Sequence, residues 1–369
     1  MGDLKRLPRA DLHAALGARI GPFAGWDMPV QYPAGVMKEH LHARAAAALF
    51  DVSHMGQVIL HGPGAAAALE RLVPADVAGL PEGRQRYALF TNGAGGILDD
   101  LMVANRGDHL LLVVNAGRAA EDIAHMRAQL PEGMVEPVTD RALLALQGPG
   151  AAAALEGLVP GAAALRFMDM ATLDWRGVAL WVARSGYTGD DGFEISVPVF
   201  AAMDFARVLL AAPGVAPAGL GARDSLRLEA GLPLYGHDID EGTTPVEAGL
   251  AWSIPKVRRT GGVRAGGFPG AARILGELAG GAARRRIGLR PEGRAPMREG
   301  VAVFDAPEGG AAIGAVTSGG FGPSVDAPVA MAYVPAAVPD GATLWGEVRG
   351  RRLPARVVPL PFRPPTYKR

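Results

Sequence analysis

Two adjacent aspartates in an otherwise apolar run are the residues of this chain best suited to do chemistry. In GGILDDLMV (residues 95–103) a glycine pair closes a hairpin turn, and a strand follows that carries Asp99 and Asp100 between Ile97-Leu98 and Leu101-Met102-Val103. Side chains alternate along a strand, so the two carboxylates point to opposite faces. Both rows are otherwise apolar, so at least one carboxylate enters a partly buried surface. There an unpaired carboxylate costs several kcal/mol or changes its proton affinity, the condition under which a side chain does acid–base or electrostatic work. The competing reading pairs both aspartates with Arg86 or Arg106 as structural ion pairs.

A second device lies in GYTGDDGFE (residues 186–194). Tyr187 sits in a Gly-flanked turn after the apolar run 178–183, Arg184 stands just upstream, and Glu194 begins the next strand. An aromatic face, an arginine and a placed carboxylate suit a flat polar heterocycle, with stacking from the tyrosine and paired N–H groups onto the glutamate. Asp190 and Asp191 read as the solvated tip of the same hairpin. GLGARDSLRLEAG (219–231) reads as a glycine loop feeding a helix, whose free N–H groups favour anions. It lacks the G-x-G-x-x-G and Gly-Lys-Ser/Thr patterns of nucleotide sites. Arg223 and Arg227, four apart, share a face of that helix, and a plain salt-bridged helix is the alternative.

Other chemistries are excluded. His40 and His42 are two apart on a helical stretch and point about 200° apart, and the remaining histidines lack partners at ligand spacing, so no metal is expected. No G-x-S-x-G elbow is present. The 369 residues include no cysteine, which removes disulfides, thiolate metal sites and a cysteine nucleophile. Lys and Arg total 37 against 37 Asp and Glu. No basic face for displacing counterions follows from that balance, so nucleic acid is not an expected partner. No uninterrupted apolar run reaches the roughly 18 residues of a membrane span, and the N-terminal MGDLKRLPRADLHAAL has no apolar core for a signal peptide. A soluble cytoplasmic protein without membrane association is expected. The run Arg284, Arg285, Arg286 reads as a solvated strand edge, and with Arg258 and Arg259 it is a guess for meeting an acidic partner.

The elements that must position these groups show an internal repeat. HGPGAAAALERLVPAD begins at His61, and QGPGAAAALEGLVPGA follows 86 residues later at Gln147. Each follows a short apolar run, turns at Gly-Pro-Gly and starts an Ala-rich helix. After the first copy come strand-like runs at 85–90, 97–105 and 109–115 and a helix-like 118–130. After the second come 168–173, 178–184 and 193–197, then 200–210. Two β-α-βββ-α modules are thus laid end to end, an α+β pattern with antiparallel sheets. From residue 284 six short strand-like runs separated by Gly/Pro turns predict a small all-β barrel or sandwich.

Together these strings resemble one family, the T protein (aminomethyltransferase) of the glycine cleavage system. The resemblance runs nearly end to end. It takes in FAGWDMPVQY (23–32), FDVSHMGQ (50–57), GGILDDLMV, VVNAG (113–117), ALQGP (145–149), RSGYTGDDGFE, PAGLGARDSLRLEAGLPLYGHDI (217–239), TPVEAGLAW (244–252) and TSGGFGPS (317–324). It implies a three-domain, clover-like α+β arrangement: residues 1–50 with 138–250 as a discontinuous folate-binding domain, 51–137 as the domain of the Asp-Asp hairpin, 251–283 as a connector and 284–369 as a C-terminal β barrel or jelly-roll-like domain. It implies transfer of the methylene unit from the aminomethylated lipoyl arm of H protein to tetrahydrofolate, with release of ammonia. Position by position, Asp100 becomes the catalytic carboxylate, and Met55, Tyr87, Asn115, Tyr187, Glu194 and Arg223 become the folate pocket. Two departures stand out: FPGA (268–271) has Ala271 where many relatives carry lysine, with Arg273 as a replacement, and Leu232 stands where some have an aromatic. Folate-dependent O- or S-demethylases are the enzymatic alternative. A flavin-fused dehydrogenase would need a further domain, and a folate-binding assembly factor of Fe–S clusters would need a cysteine.

Overall fold

The computed structural model describes residues 4–369; Met1, Gly2 and Asp3, which open the N-terminal segment weighed above, lie outside them. Both halves of the repeat build the same plan. In the first, Gly56–His61, Gln85–Thr91, Ile97–Asn105, His109–Val114 and Val135–Val138 form an antiparallel five-stranded sheet. The helices Ala65–Leu69 and Ala119–Gln129 cover one face, over a core that includes Leu60, Leu69, Leu101, Val103, Leu112 and Met126. In the second, Arg141–Gln147, Met170–Trp175, Val178–Ala183 and Gly192–Pro198 pair antiparallel, and the helices Ala151–Glu156 and Val199–Ala211 cover them over Leu144, Leu180, Phe193 and Phe205.

The Gly-Pro-Gly turns explain why the repeat is so literal. Gly62 and Gly148 both have positive φ, +96° and +126°. A Cβ at Gly148 would lie 2.3 Å from the carbonyl oxygen of Ala43 and 2.4 Å from that of Ala46, so no larger residue fits. The alanines that follow let short helices lie close on their sheets, and Ala65 and Ala151 are fully buried.

Ala47–Asp51 joins the second sheet beside Arg141–Gln147, and Val215–Pro217 adds a parallel edge. No strand is expected at Ala-Ala-Leu-Phe-Asp, which follows directly on the helix Val36–Ala45. All five residues are buried, and pairing with a distant strand overrides local helix preference. The six runs after residue 284 form a closed antiparallel barrel in the order Arg284–Pro291, Ala327–Pro335, Gly314–Gly322, Ala302–Phe304, Thr343–Val348, Arg351–Val358. Among the described residues no helix is long and apolar enough to cross a membrane.

Several charged groups take roles other than those the sequence suggests. Asp190 is buried, not solvated: Arg44 and Arg363 each donate to it at 2.6 Å, and Thr366 does so at 2.8 Å. Arg184 turns away from any pocket to grip Asp191 and the carbonyls of Ala163 and Leu165. The arginine run is not a free edge, since Arg284 meets Glu247, Arg285 meets Asp340, and Arg286 donates to the carbonyls of Ala248 and Gly231. Arg258 is buried on Glu70, and Arg259 caps the carbonyls of Ile254 and Ala251. These arginines are joined to carboxylates and carbonyls of the fold, Arg258 buried and Arg284 and Arg285 partly exposed. Removing one member of such a buried pair strands the other charge. Asp190→Ala should lower unfolding free energy in a urea titration by about 3–5 kcal/mol; a change below about 0.5 kcal/mol, the range of ordinary surface substitutions, would contradict this account.

Candidate functional site

The site forms where the uncovered faces of the two sheets meet. Met102, Leu111 and Val113 of the first sheet face Leu143, Trp181 and Glu194 of the second across a narrow gap. Alternation on Ile97–Asn105 places Asp99, Leu101 and Val103 on the helix-covered side, while Asp100 shares its side with Met102 and Ala104 toward the gap. The opposite orientation expected for the two carboxylates is therefore present.

Neither aspartate meets Arg86 or Arg106. Arg86 lies 3.4 Å from Asp76, and Arg106 bonds Thr172 and flanks the Trp181 ring. The partners are neutral instead. Tyr87 Oη donates to Asp100 Oδ2 at 3.0 Å, and Asn115, just past the end of His109–Val114, donates from Nδ2 to Asp100 Oδ1 at 2.7 Å and to Asp99 Oδ1 at 2.9 Å. Burial pushes Asp100 up to about 7, and the bonds from Tyr87 and Asn115 restrain that rise. Asp100 is thus a carboxyl that exchanges its proton near neutrality, the range in which general acid–base groups work best.

The hairpin that carries it is clamped at its tip. Ile97 N donates to the carbonyls of Asp240 and Thr243, and Asn92 Nδ2 donates to that of Glu241. A Cβ on Gly96 would lie 1.8 Å from the Glu241 oxygen, so the glycine is what permits this approach.

The second group of side chains lies alongside. The Arg223 guanidinium stands 4.9 Å from the Tyr187 ring centre, a cation–π contact. Its Nη1 is buried without a partner, the Glu194 carboxylate favours its charge, and its charge bears on His54. Tyr187 commits its hydroxyl to the carbonyl of Pro233, so it offers the site only its ring. Ser185 Oγ donates to one oxygen of Glu194 at 3.1 Å, which leaves the other free. Met55, on the loop after Ala47–Asp51, packs half-buried beside Val113. Arg227, on the same helix face as Arg223, is structural: it binds Asp224, Asp238 and Ser318, and so fixes the helix Leu220–Glu229 against the barrel.

Three neighbours escape the sequence reading. Trp252, 62% exposed, stacks on Tyr87 with ring centres 5.3 Å apart. His54 is buried against Phe23 with Nδ1 unpartnered, and burial and then Arg223 hold its pKa down at about 4, so its ring is neutral. Asp122, on the Ala119–Gln129 helix, raises the proton affinity of Asp99. A signal exists for the last: Ala119, Ile123 and Met126 mark the buried stripe of that helix, and Asp122 is a carboxylate set into it. Among the described residues no group of acidic and histidine side chains has the geometry to hold a metal ion. Arg273, the candidate replacement for the missing lysine, bonds Glu277 at 2.9 Å and reaches the Ala94 carbonyl at 3.2 Å. It braces the hairpin from outside.

Comparison with known proteins gives one family. A model described as GCVT N-terminal domain matches residues 10–258, and one described as Glycine cleavage T-protein C-terminal barrel domain matches residues 284–363. The chain is 44% identical to "Aminomethyltransferase, mitochondrial" of Dictyostelium discoideum, over 100% of this chain and 94% of that one. It is 46% identical to the Homo sapiens protein of the same name, over 99% and 91%. The crystal structure of glycine cleavage system aminomethyltransferase T from Bartonella henselae matches with a TM-score of 0.92 and 45% identity, covering 99% of this chain and 100% of that one.

The clamp on the hairpin is open to a direct test. Gly96→Ala should force the tip away from Glu241, lower stability by about 1–3 kcal/mol as overpacking does, and depress turnover more than Gly93→Ala, where a Cβ meets nothing within 4 Å. Thermal melts and initial rates on the two variants decide it, and equal behaviour would show that the clamp is not needed.

Proposed function

The chain belongs to the glycine cleavage T-protein family of aminomethyltransferases, and from that membership we propose that it passes the methylene unit of an S-aminomethyl-dihydrolipoyl arm, carried by H protein, to tetrahydrofolate. When bound, tetrahydrofolate supplies the two nitrogens that take up the carbon. The overall exchange involves no oxidation: one C–N and one C–S bond break, two C–N bonds form, ammonia leaves, and the sulfur is returned as a thiol.

The observation that carries the folate reading is the unpartnered buried Nη1 of Arg223, set beside a tyrosine ring and a half-free carboxylate. A buried donor left unsatisfied costs about 1–3 kcal/mol, so it marks a place built for an acceptor from outside. With Glu194 as acceptor, Arg223 as donor and Tyr187 as a face, the three suit a planar heterocycle that has donor and acceptor edges. Met55, Tyr87 and Asn115 complete the proposed pocket around Asp100.

Asp100 does the proton work in this reading. Ionised, it accepts a proton from the attacking amine and favours positive charge developing at the carbon; protonated, it returns that proton to the departing group. Tyr87 and Asn115 hold its two oxygens in place during both. Help of this kind is worth about 10²–10⁴-fold. Trp252, exposed on Tyr87, supplies an apolar wall to whatever approaches Asp100 from solvent.

Aminomethylated H protein and tetrahydrofolate, mixed with the enzyme, should yield ammonia and methylene-folate together. Ammonia no faster than a folate-free control would defeat the proposal and favour a demethylase acting on a free methyl donor. Asp100→Asn should keep folate binding and lose about 10²–10⁴ in turnover; near-normal rates would remove Asp100 from the chemistry. Because Asp100 must be ionised to begin, and its carboxyl titrates at about 7, turnover should fall as pH drops through that value. Tyr87→Phe removes a bond that holds the carboxyl down, so the acid limb of the pH profile should move upward. A limb that stays or moves downward would contradict the assigned role of Tyr87.

A further inference from the structure

Behind Asp100, on the other side of the same strand, lies an acid that the reaction above leaves unused. Asp99 is 0% exposed, and Asp122, in the first turn of Ala119–Gln129, is 2% exposed. Each carboxyl acts on the proton affinity of the other, and Asp122 Oδ2 is buried with no hydrogen-bond partner. Neither forms a salt bridge among the described residues, since Arg118, the cation on the same helix, is directed to Glu241 at 3.3 Å. The other titratable groups around them are Asp100 on the strand, Glu121 and His125 on the helix, and Tyr235 from the chain that follows the second module.

Two buried carboxylates that act on one another, with no cation bound to either, do not both ionise; they share one proton. Burial, together with each carboxyl's neighbours, raises the proton affinity of both members of the pair. No other donor reaches Asp122 Oδ2, so a proton on Asp99 is the donor available to it. The location of that proton follows from the surroundings. Asp122 sits in the first turn of a helix, where the dipole favours a negative charge, and within the field of Arg118. Asp122 is therefore the ionised member, and Asp99 stays neutral.

Asn115 links this pair to the site. Its Nδ2 donates to Asp99 Oδ1 at 2.9 Å and to Asp100 Oδ1 at 2.7 Å, and its main-chain N–H donates to Asp99 Oδ2 at 3.2 Å. One planar amide therefore senses what Asp99 carries and holds Asp100. We propose that Asp99 and Asp122 form a proton-sharing pair that acts as a positioning device for Asp100, keeping negative charge one residue away from it while Asn115 fixes its orientation. This inference rests on Asp100 being the reacting carboxyl.

The isosteric amides separate this role from simple structural support. Asp99→Asn keeps a neutral donor toward Asp122; it should lower turnover, because one acceptor for Asn115 is lost, yet leave the acid limb of the kcat profile where it is. Asp122→Asn offers an N–H to Asp99 and turns Asp99 into the ionised member, beside Asp100. Its acid limb should move up by about one pH unit, the usual effect of a close like charge, with about a tenfold loss below the limb and little change in KM for folate. The double variant should return the limb to its original place. Limbs that move equally in both single variants, or in neither, overturn the proposal. Should Asp122→Asn fail to fold, ¹³C-carboxyl aspartate NMR of the otherwise unchanged enzyme gives the answer. A carboxyl still protonated at about pH 8, well above the ordinary aspartate range, and lost in Asp99→Asn, supports the pair; its absence overturns it. Asp100→Asn is measured alongside: if that variant keeps its turnover, the failure belongs to the assignment of Asp100 and not to the pair.

Discussion

Two carboxyl groups next to one another on a single strand, neither touching a cation, ordinarily repel and turn outward into water. Here one asparagine amide donates to both, and much of the surrounding architecture serves to let it do so. Asn115 must lie beside the aspartate strand, which requires His109–Val114 to pair with Ile97–Asn105 in a register that brings Val114 opposite Leu101. The hairpin tip must then be held from outside, by the chain at Asp240–Thr243. The helix over the sheet must place an acid and not another hydrophobe at residue 122. Change any one of these and a buried negative charge is left without a partner.

The formal neutrality of the chain takes on a meaning at the level of contacts. Arginine is spent largely on the interior. Arg227 joins Asp238 and Ser318 across the boundary between the helix Leu220–Glu229 and the barrel. Arg44 joins Asp190 and Glu229, and Arg258 joins Glu70. Guanidinium suits this duty because its planar fork binds carboxylates and carbonyls in fixed directions. Against that background Arg223 differs: it lies four residues from Arg227 on the same helix, is half-buried where Arg227 is buried, keeps Nη1 without a partner, and is joined to no carboxylate by a salt bridge among the described residues.

Much of this was legible in the chain. Alternation along residues 97–105 separated Asp99 from Asp100, the Gly-Pro-Gly repeat exposed the two-module plan, and evenly spaced turns after residue 284 announced the barrel. These are local patterns, readable because the period of side-chain direction is a property of the strand itself. What was not legible depends on chain segments that meet only after folding. The strand Ala47–Asp51 carries no alternation of its own and forms by pairing with Arg141–Gln147. Asp190 looks solvated until Arg44 and Arg363 arrive from either end of the chain. Asp99 could not name its partner, because Asp122 lies on another element, and Trp252 becomes a wall only by stacking on Tyr87. Domain limits, too, depend on which faces meet.

The literal repeat of the two modules has a further consequence. Gly62 and Gly148 bend the chain in the same sense in two halves that have since taken up different side chains, so the pocket lies between non-identical descendants of one plan. Asp100 comes from one and Glu194 from the other. Such a division of labour permits each half to drift on its own terms. Substitutions in the first can retune reactivity while the second keeps its grip on what is bound, and selectivity can be revised without disturbing the acid. The redundancy of the frame is thus a source of evolvability, because a frame built twice lets each copy carry different side chains.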